Sequence, residues 1–183
     1  MKPASQTAAE ALEELQWHHS AGECEASTPN QKPSTVTGEA HTCLVNDRVD
    51  LALAVGADGV HVGGDDLPVD VARRLLGEHA LVGATCRNPE AARRAVDAGA
   101  SYLGVGPAYV TSTKTGLPDP MGPGGVEAIA RAVSIPVIAI AGVTAGHVPE
   151  LLDAGAWGVA VVGAVYGAAD PAGAVAELLE VLA

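Results

Sequence analysis

Phenylalanine is absent from this chain of 183 residues, and aromatic residues make up only 3% of it. The core must therefore be built from small and β-branched side chains, as is common in tightly packed parallel sheets. Basic residues are also scarce, because 10 Lys and Arg stand against 22 Asp and Glu, giving a net charge of −12. This balance argues against a nucleic-acid or anionic-membrane surface. The negative net charge does not exclude an anionic substrate, because nearby lysines and backbone amides determine the affinity of a site for an anion.

Cysteine is equally sparse. The three cysteines, Cys24, Cys43 and Cys86, include no C-x-x-C pair, so neither a disulfide framework nor a zinc site is indicated. A reducing cytoplasm is the expected location. The chain also lacks a basic start followed by an apolar run, and it has no apolar stretch of membrane-spanning length, which predicts neither a signal peptide nor a membrane span.

The composition changes near residue 43. Residues 1–42 are rich in Glu, Ser, Thr, Pro, Gln and His, and we expect a divergent segment that is irregular or disordered apart from a short helix over residues 8–17. Residues 43–183 show a regular alternation of short apolar runs and helical patterns. We expect this part to be one α/β domain.

Six strands and six helices are predicted in this domain. The strands are Cys43–Val45, Gly59–Val62, Ala80–Gly83, Tyr102–Val105, Pro136–Ile140 and Gly158–Val162. The helices are Val49–Val55, Val69–Leu76, Pro89–Ala98, Gly124–Ala132, Gly146–Ala154 and Pro171–Leu182.

A helix-Gly-Ala-strand junction recurs at Gly56, Gly99 and Gly155. Repetition of one αβ junction predicts a parallel sheet. About six βα units are visible, whereas a closed TIM (β/α)8-type barrel needs eight, so an incomplete barrel is expected.

The loop after the fourth strand carries two hydroxyls and an ammonium within Thr111-Ser112-Thr113-Lys114. Strand-end loops of parallel α/β folds are where ligands bind, and these groups suit a phosphate ester or pyrophosphate. A solvated loop with a chance lysine is the equally weighted alternative.

Carboxylates follow the first two strands. Asn46 and Asp47 end the first, and Asp66 follows the second. Carboxylates at adjacent strand ends can share a Mg²⁺ ion, but Asp47 and Asp66 could instead cap the following helices.

Other strand ends offer further polar or glycine-rich groups. Thr85 follows the predicted third strand, and Gly142 and Val162-Gly163 lie in turns that could bind a phosphate through backbone amides or simply be tight turns. His61 is interpreted as a satisfied core histidine, and Cys86 as a bystander.

With these residues collected, the chain from about Cys43 resembles the thiamine phosphate synthase family. The matching blocks are LVNDRVDLALAVGADGVHVGGDDLP, GPAYVTSTK, IPVIAIAGVT and GAWGVAVVGAV. The resemblance implies a (β/α)8 barrel enzyme, a transferase that joins hydroxymethylpyrimidine diphosphate to thiazole phosphate and releases pyrophosphate with Mg²⁺. It implies small phosphorylated substrates and leaves a homo-oligomer open.

The resemblance also assigns residues. It implies Asp47 and Asp66 as metal ligands and Asn46, Thr85 and Lys114 as contacts of the pyrimidine diphosphate, with Lys114 and Thr85 catalytic. It implies that the thiazole phosphate is contacted by Thr111, Ser112, Thr113, Gly142, Val162 and Gly163.

Three departures from the family pattern accompany the match. The Gln-Leu-Arg-x-Lys block that grips the diphosphate has no counterpart in residues 1–42, and Gly64 and Gly163 stand where the family usually has glutamine and serine. Two alternatives follow: a TenI-like thiazole tautomerase or thiazole-phosphate binder, and an inactive remnant whose first two βα units have been replaced.

Overall fold

The computed structural model describes residues 42–182, and they form one parallel sheet covered by helices. The strands follow one another in the order β1-β2-β3-β4-β5-β6, and every neighbouring pair is parallel. They are β1 (Leu44–Asn46), β2 (Gly59–Val62), β3 (Leu81–Cys86), β4 (Tyr102–Val105), β5 (Val137–Ile140) and β6 (Gly158–Ala160).

Helices connect successive strands, as parallel pairing requires. They are α1 (Val49–Val55), α2 (Val69–Leu76), α3 (Pro89–Asp97), α4 (Gly122–Ala130), α5 (Val148–Asp153), α6 (Gly163–Tyr166) and α7 (Pro171–Leu182), with a 3₁₀ turn at Ala145–His147. The predicted bounds of β2, β4, α1, α2 and α7 are confirmed to the residue.

The repeated αβ junctions have one conformation. Gly56, Gly99 and Gly155 all have positive φ, at 65°, 95° and 86°. A glycine adopts this backbone at little steric cost, and the next strand can begin within a few residues. The same junction conformation therefore occurs three times, and each time it ends a helix just before the next parallel strand begins.

The fold is an incomplete TIM-type barrel, as the count of βα units predicts. Within residues 42–182, β1 and β6 each pair on one side only. The helix predicted over residues 8–17 and nearly all of the divergent segment lie outside the described residues.

The core lies between the sheet and the helices. Val60, Val82, Leu103 and Val105 are fully buried on the helix-facing side of their strands. Small and β-branched side chains dominate this layer, as expected from a chain without phenylalanine. Over the described residues, no helix combines the length and the apolar character needed to cross a membrane.

Three strand ends in the site region were predicted wrongly, and the first is that of β1, which ends at Asn46 and not at Val45. Strand β3 continues to Cys86, so Thr85 lies inside the strand and not beyond it. The predicted sixth strand ends at Ala160, and the residues after Val162 form the short helix α6 where only a glycine-rich turn is predicted.

Candidate active site

The predicted site residues lie at or just after the carboxyl ends of all six strands. Because the strands are parallel and adjacent, these ends meet at one edge of the sheet. Asn46 is the last residue of β1, Thr85 lies near the end of β3, and the loop with Lys114 follows β4. The fold therefore brings together groups that are up to 117 positions apart between Asn46 and Gly163 (163 minus 46).

Asp47, Asp66 and Lys114 form an interacting charged group. The pKa of the Asp47 carboxyl is raised, first by partial burial and then by a hydrogen bond and charge repulsion from Asp66. The positive charge of Lys114 acts on the same carboxyl and opposes the rise. Two interacting carboxylates are an arrangement that a divalent cation would stabilise.

Neither carboxylate caps a helix, so the capping interpretation is wrong. The N-cap residues of α1 and α2 are Arg48 and Pro68, and neither helix has a side-chain cap. Asp66 instead accepts a hydrogen bond of 2.7 Å from the Gly63 amide, which fixes its own loop. Asp47 has a φ of 64°, and its amide donates to the His61 carbonyl at 2.8 Å.

The residues present fit a Mg²⁺ ion held partly by substrate. In the part of the chain that the structure describes, no group of three or more His, Cys, Asp or Glu side chains could hold a metal alone. Mg²⁺ commonly takes one or two carboxylates and completes its shell with water and substrate phosphates. Asp47 and Asp66 supply such a pair.

The Thr85 hydroxyl is positioned by a hydrogen bond to a histidine of the neighbouring strand β2. The hydroxyl lies 2.9 Å from Nε2 of His61, whose Nδ1 lies 3.0 Å from the Tyr102 hydroxyl. Burial lowers the pKa of the His61 ring, so the ring is neutral at neutral pH. The interpretation of His61 as a satisfied core histidine is confirmed, but its partner is a predicted site residue.

The hydroxyl loop meets the loops that follow β5 and β6. A Cβ atom on Gly163 would lie 3.3 Å from the Thr113 hydroxyl, and one on Gly142 would lie 2.5 Å from the Val110 carbonyl. Thr111 accepts a hydrogen bond of 3.2 Å from the Thr113 amide. The close approach at Gly142 requires glycine, and it places the hydroxyls of the loop beside two backbone turns.

A second set of side chains supports this loop and was missed in the sequence. The Tyr109 ring stacks on His147, with centroids 3.8 Å apart and planes 12° apart. The Tyr109 hydroxyl bonds to the Glu150 carboxylate, and the Thr144 amide donates to Nδ1 of His147 at 3.3 Å. The spacing Thr144-x-x-His147 resembles a capping box with histidine in place of glutamate, and this was the one signal available.

Cys86 takes no part in this constellation. Its side chain is buried, and burial raises the pKa of its thiol to about 11. A thiol with that pKa is protonated at neutral pH and is a poor nucleophile.

Comparison with known proteins agrees with this architecture. The family model described as "Thiamine monophosphate synthase" matches residues 33–165. A thiamine-phosphate synthase of Salinispora arenicola is 61% identical over 141 residues, which is 77% of this chain and 68% of that protein. One from Haloarcula marismortui is 49% identical over 152 residues, or 81% of this chain and 72% of that protein.

The fold comparison points the same way. A solved structure of thiamine phosphate pyrophosphorylase from Pyrococcus furiosus has a TM-score of 0.70 and 38% identity, covering 78% of this chain and 67% of that one. These likenesses define an α/β-barrel transferase that acts on small phosphorylated molecules. The chain belongs to the thiamine monophosphate synthase family, and its function lies in thiamine biosynthesis. The tautomerase-like and inactive alternatives are not favoured.

Proposed function

We propose that this chain joins hydroxymethylpyrimidine diphosphate to thiazole phosphate, giving thiamine phosphate and pyrophosphate. The observation that carries the proposal is the placement of Asp47, Asp66 and the loop with Lys114 after strands β1, β2 and β4 at one edge of the parallel sheet, with the Thr113 hydroxyl near the start of α6 at Gly163. The first group suits a diphosphate with a metal, and the second suits a phosphate ester.

The reaction breaks the bond between the pyrimidine-methyl carbon and the diphosphate oxygen, and the electron pair leaves with pyrophosphate. The thiazole nitrogen then donates its lone pair to that carbon and forms the new C–N bond. Negative charge grows on the leaving group, so Lys114 stabilises the transition state by lying beside it. Mg²⁺, when bound by Asp47 and Asp66, would neutralise further charge on the same oxygens.

The remaining residues position the substrates. Asn46 and the Thr85 hydroxyl hold the pyrimidine diphosphate, and Thr111 to Thr113 with the backbone of Gly142 and Val162-Gly163 hold the thiazole phosphate. Holding both reactants next to each other supplies much of the rate enhancement, because it removes the entropy of their encounter. No covalent enzyme intermediate is required.

The sequence contains no Gln-Leu-Arg-x-Lys block, and this sets an expectation for the diphosphate half-site. Each charge-assisted hydrogen bond contributes about 1.5–3 kcal/mol. Loss of two would weaken the grip on the diphosphate by about 3–6 kcal/mol, or roughly 10²- to 10⁴-fold. We therefore expect a high KM for the pyrimidine diphosphate and an ordinary one for the thiazole phosphate. A cytoplasmic location stays a prediction from the sequence, and a homo-oligomer stays open.

The test compares variants of the full chain in an assay of pyrophosphate release with both precursors and Mg²⁺. Asp66→Asn and Lys114→Met should each lower kcat/KM by about 10²-fold or more, since each removes a charged group from the leaving-group site. Asp65→Asn is the matched control, because it removes a neighbouring exposed carboxylate outside the group. Equal effects of Asp65→Asn and Asp66→Asn would refute the metal assignment.

The pH dependence offers a second check on the metal pair. Because burial and then Asp66 raise the pKa of Asp47, Asp47 becomes protonated at a higher pH than an isolated aspartate. Activation by Mg²⁺ should therefore weaken as pH falls towards that raised pKa, and the Asp66→Asn variant, which removes only the contribution of Asp66, should move this weakening to a lower pH. Mg²⁺ titrations at several pH values measure it.

A further inference from the structure

Three buried or half-buried side chains form a continuous line across the concave face of the sheet. Parallel register pairs His61 of β2 with Gly83 of β3, and Gly83 with Tyr102 of β4. Thr85 lies two residues after Gly83, on the same face, and pairs with Gly104. The His61 ring bridges Tyr102 and Thr85, with separations of 3.0 and 2.9 Å.

Two glycines provide the space for this line. A Cβ atom on Gly83 would lie 2.2 Å from Cζ of Tyr102 and 2.4 Å from Nδ1 of His61. A Cβ atom on Gly104 would lie 2.8 Å from Cε1 of His61. Any other residue at either position would displace the ring, so both strands are shaped around the histidine.

The hydrogen bonds of the line have a preferred direction. The Tyr102 side chain is buried, with 6% of its surface exposed, and within the described residues its hydroxyl has no polar partner besides His61. If Nδ1 carried the ring proton, the tyrosine proton would be buried without an acceptor, which is costly. The favourable arrangement has Tyr102 donating to Nδ1 and Nε2–H donating to Thr85.

This direction decides what Thr85 can offer a ligand. A hydroxyl that already accepts from Nε2–H keeps its own proton free to donate. A free donor suits an anionic oxygen, whereas the reverse arrangement would leave Thr85 as an acceptor facing negative charge. The hydrogen bonds from Tyr102 through His61 thus orient the Thr85 hydroxyl as a donor for an anion.

We propose that His61 and Tyr102 are positioning residues that hold the Thr85 hydroxyl as a hydrogen-bond donor to the diphosphate of the substrate. The identity of the anion rests on the function proposed above. The direction of the hydrogen bonds does not, so the two can fail separately.

The direct test is the tautomer of His61. Nitrogen chemical shifts of the histidine rings distinguish Nε2–H from Nδ1–H, and they can be measured on the full-length chain labelled with ¹⁵N-histidine at pH 8, with His61→Gln to assign the signal. We expect His61 to be in the Nε2–H form in the native chain. Tyr102→Phe, which removes only the fixing hydroxyl, should shift it to a mixture. A native Nδ1–H form would overturn the proposal whether or not the chain turns over.

The functional test is a double-mutant cycle. Tyr102→Phe should raise the KM for the pyrimidine diphosphate, or the Kd for inorganic pyrophosphate with Mg²⁺, by about tenfold, which corresponds to one hydrogen bond. The KM for the thiazole phosphate should not change. Tyr102→Phe should add nothing in a Thr85→Val background, which lacks the hydroxyl that Tyr102 acts through. An equal effect of Tyr102→Phe in both backgrounds would show that Tyr102 acts only on packing.

Discussion

Gly83 gives the sharpest test of how the interior of the sheet is packed. In Gly83→Ala, the new Cβ atom would lie 2.2 Å from Cζ of Tyr102 and 2.4 Å from Nδ1 of His61. Both distances are far below van der Waals contact, and both neighbours are ring atoms with little freedom to move away. The substitution must displace at least one of the two rings or disturb the pairing of β3 with β2 or β4.

The size of the effect follows from the packing. Overpacking a core typically costs about 1–3 kcal/mol, and two rigid rings with a shared hydrogen bond place this substitution at about 3 kcal/mol or more. For a domain of this size, that predicts a fall in Tm of roughly 6–12 °C. Thermal and urea unfolding followed by circular dichroism measure both quantities.

Gly64→Ala is the matched control for Gly83→Ala. A Cβ atom on Gly64 meets nothing within 4 Å, so its effect on the free energy of unfolding should stay within about 0.5 kcal/mol. If Gly83→Ala were as stable as Gly64→Ala and kept native activity, the packing of His61 and Tyr102 described here would be wrong.

Three further predictions concern stability and reactivity. Arg73 donates hydrogen bonds to the carbonyls of Gly77 (3.0 Å) and Gly99 (2.9 Å) and to the Ser101 hydroxyl (2.8 Å), so Arg73→Ala should lower the free energy of unfolding by about 3 kcal/mol. Arg74→Ala, its exposed neighbour, should cost less than about 1 kcal/mol in the same urea titration. Burial and Glu150 raise the pKa of Tyr109 from 10.0 to about 12. The protonated Tyr109 hydroxyl therefore contributes stability that is complete below pH 10 and is lost as pH rises towards 12. Tyr109→Phe should remove this part of the fall in the free energy of unfolding with pH. The Cys86 thiol, with a pKa raised to about 11, should resist alkylation at pH 8 until the chain is unfolded, as mass spectrometry of the modified peptide would show.

Most of the fold could be predicted because the local signals agree with one another. Gly56, Gly99 and Gly155 mark the three αβ junctions, and each has the positive φ that its position implies. Asn88 caps α3 by accepting a hydrogen bond of 2.8 Å from the Ala91 amide, and Pro89 follows in the first turn, where proline suits a helix. The end of β3 was missed because Ala84-Thr85-Cys86 carries no strong strand signal by itself and is held by pairing with β4.

The candidate site was predicted in part for a similar reason. Residues at strand ends, such as Asp47 and Asp66, can be located from the order of strands alone. The links between His61 and Tyr102, and between Tyr109 and His147, depend on register and side-chain direction across 41 and 38 positions (102 minus 61 and 147 minus 109). No local pattern encodes such pairs, and an apolar neighbourhood made His61 look like an ordinary core residue.

The 183-residue chain, supplied with hydroxymethylpyrimidine diphosphate, thiazole phosphate and Mg²⁺, is expected to form thiamine phosphate, which mass spectrometry detects. Product should be absent when either precursor is omitted, and it should fall by about 10²-fold or more in Lys114→Met. A well-folded native chain that forms no thiamine phosphate at saturating concentrations of both precursors would contradict the proposed function.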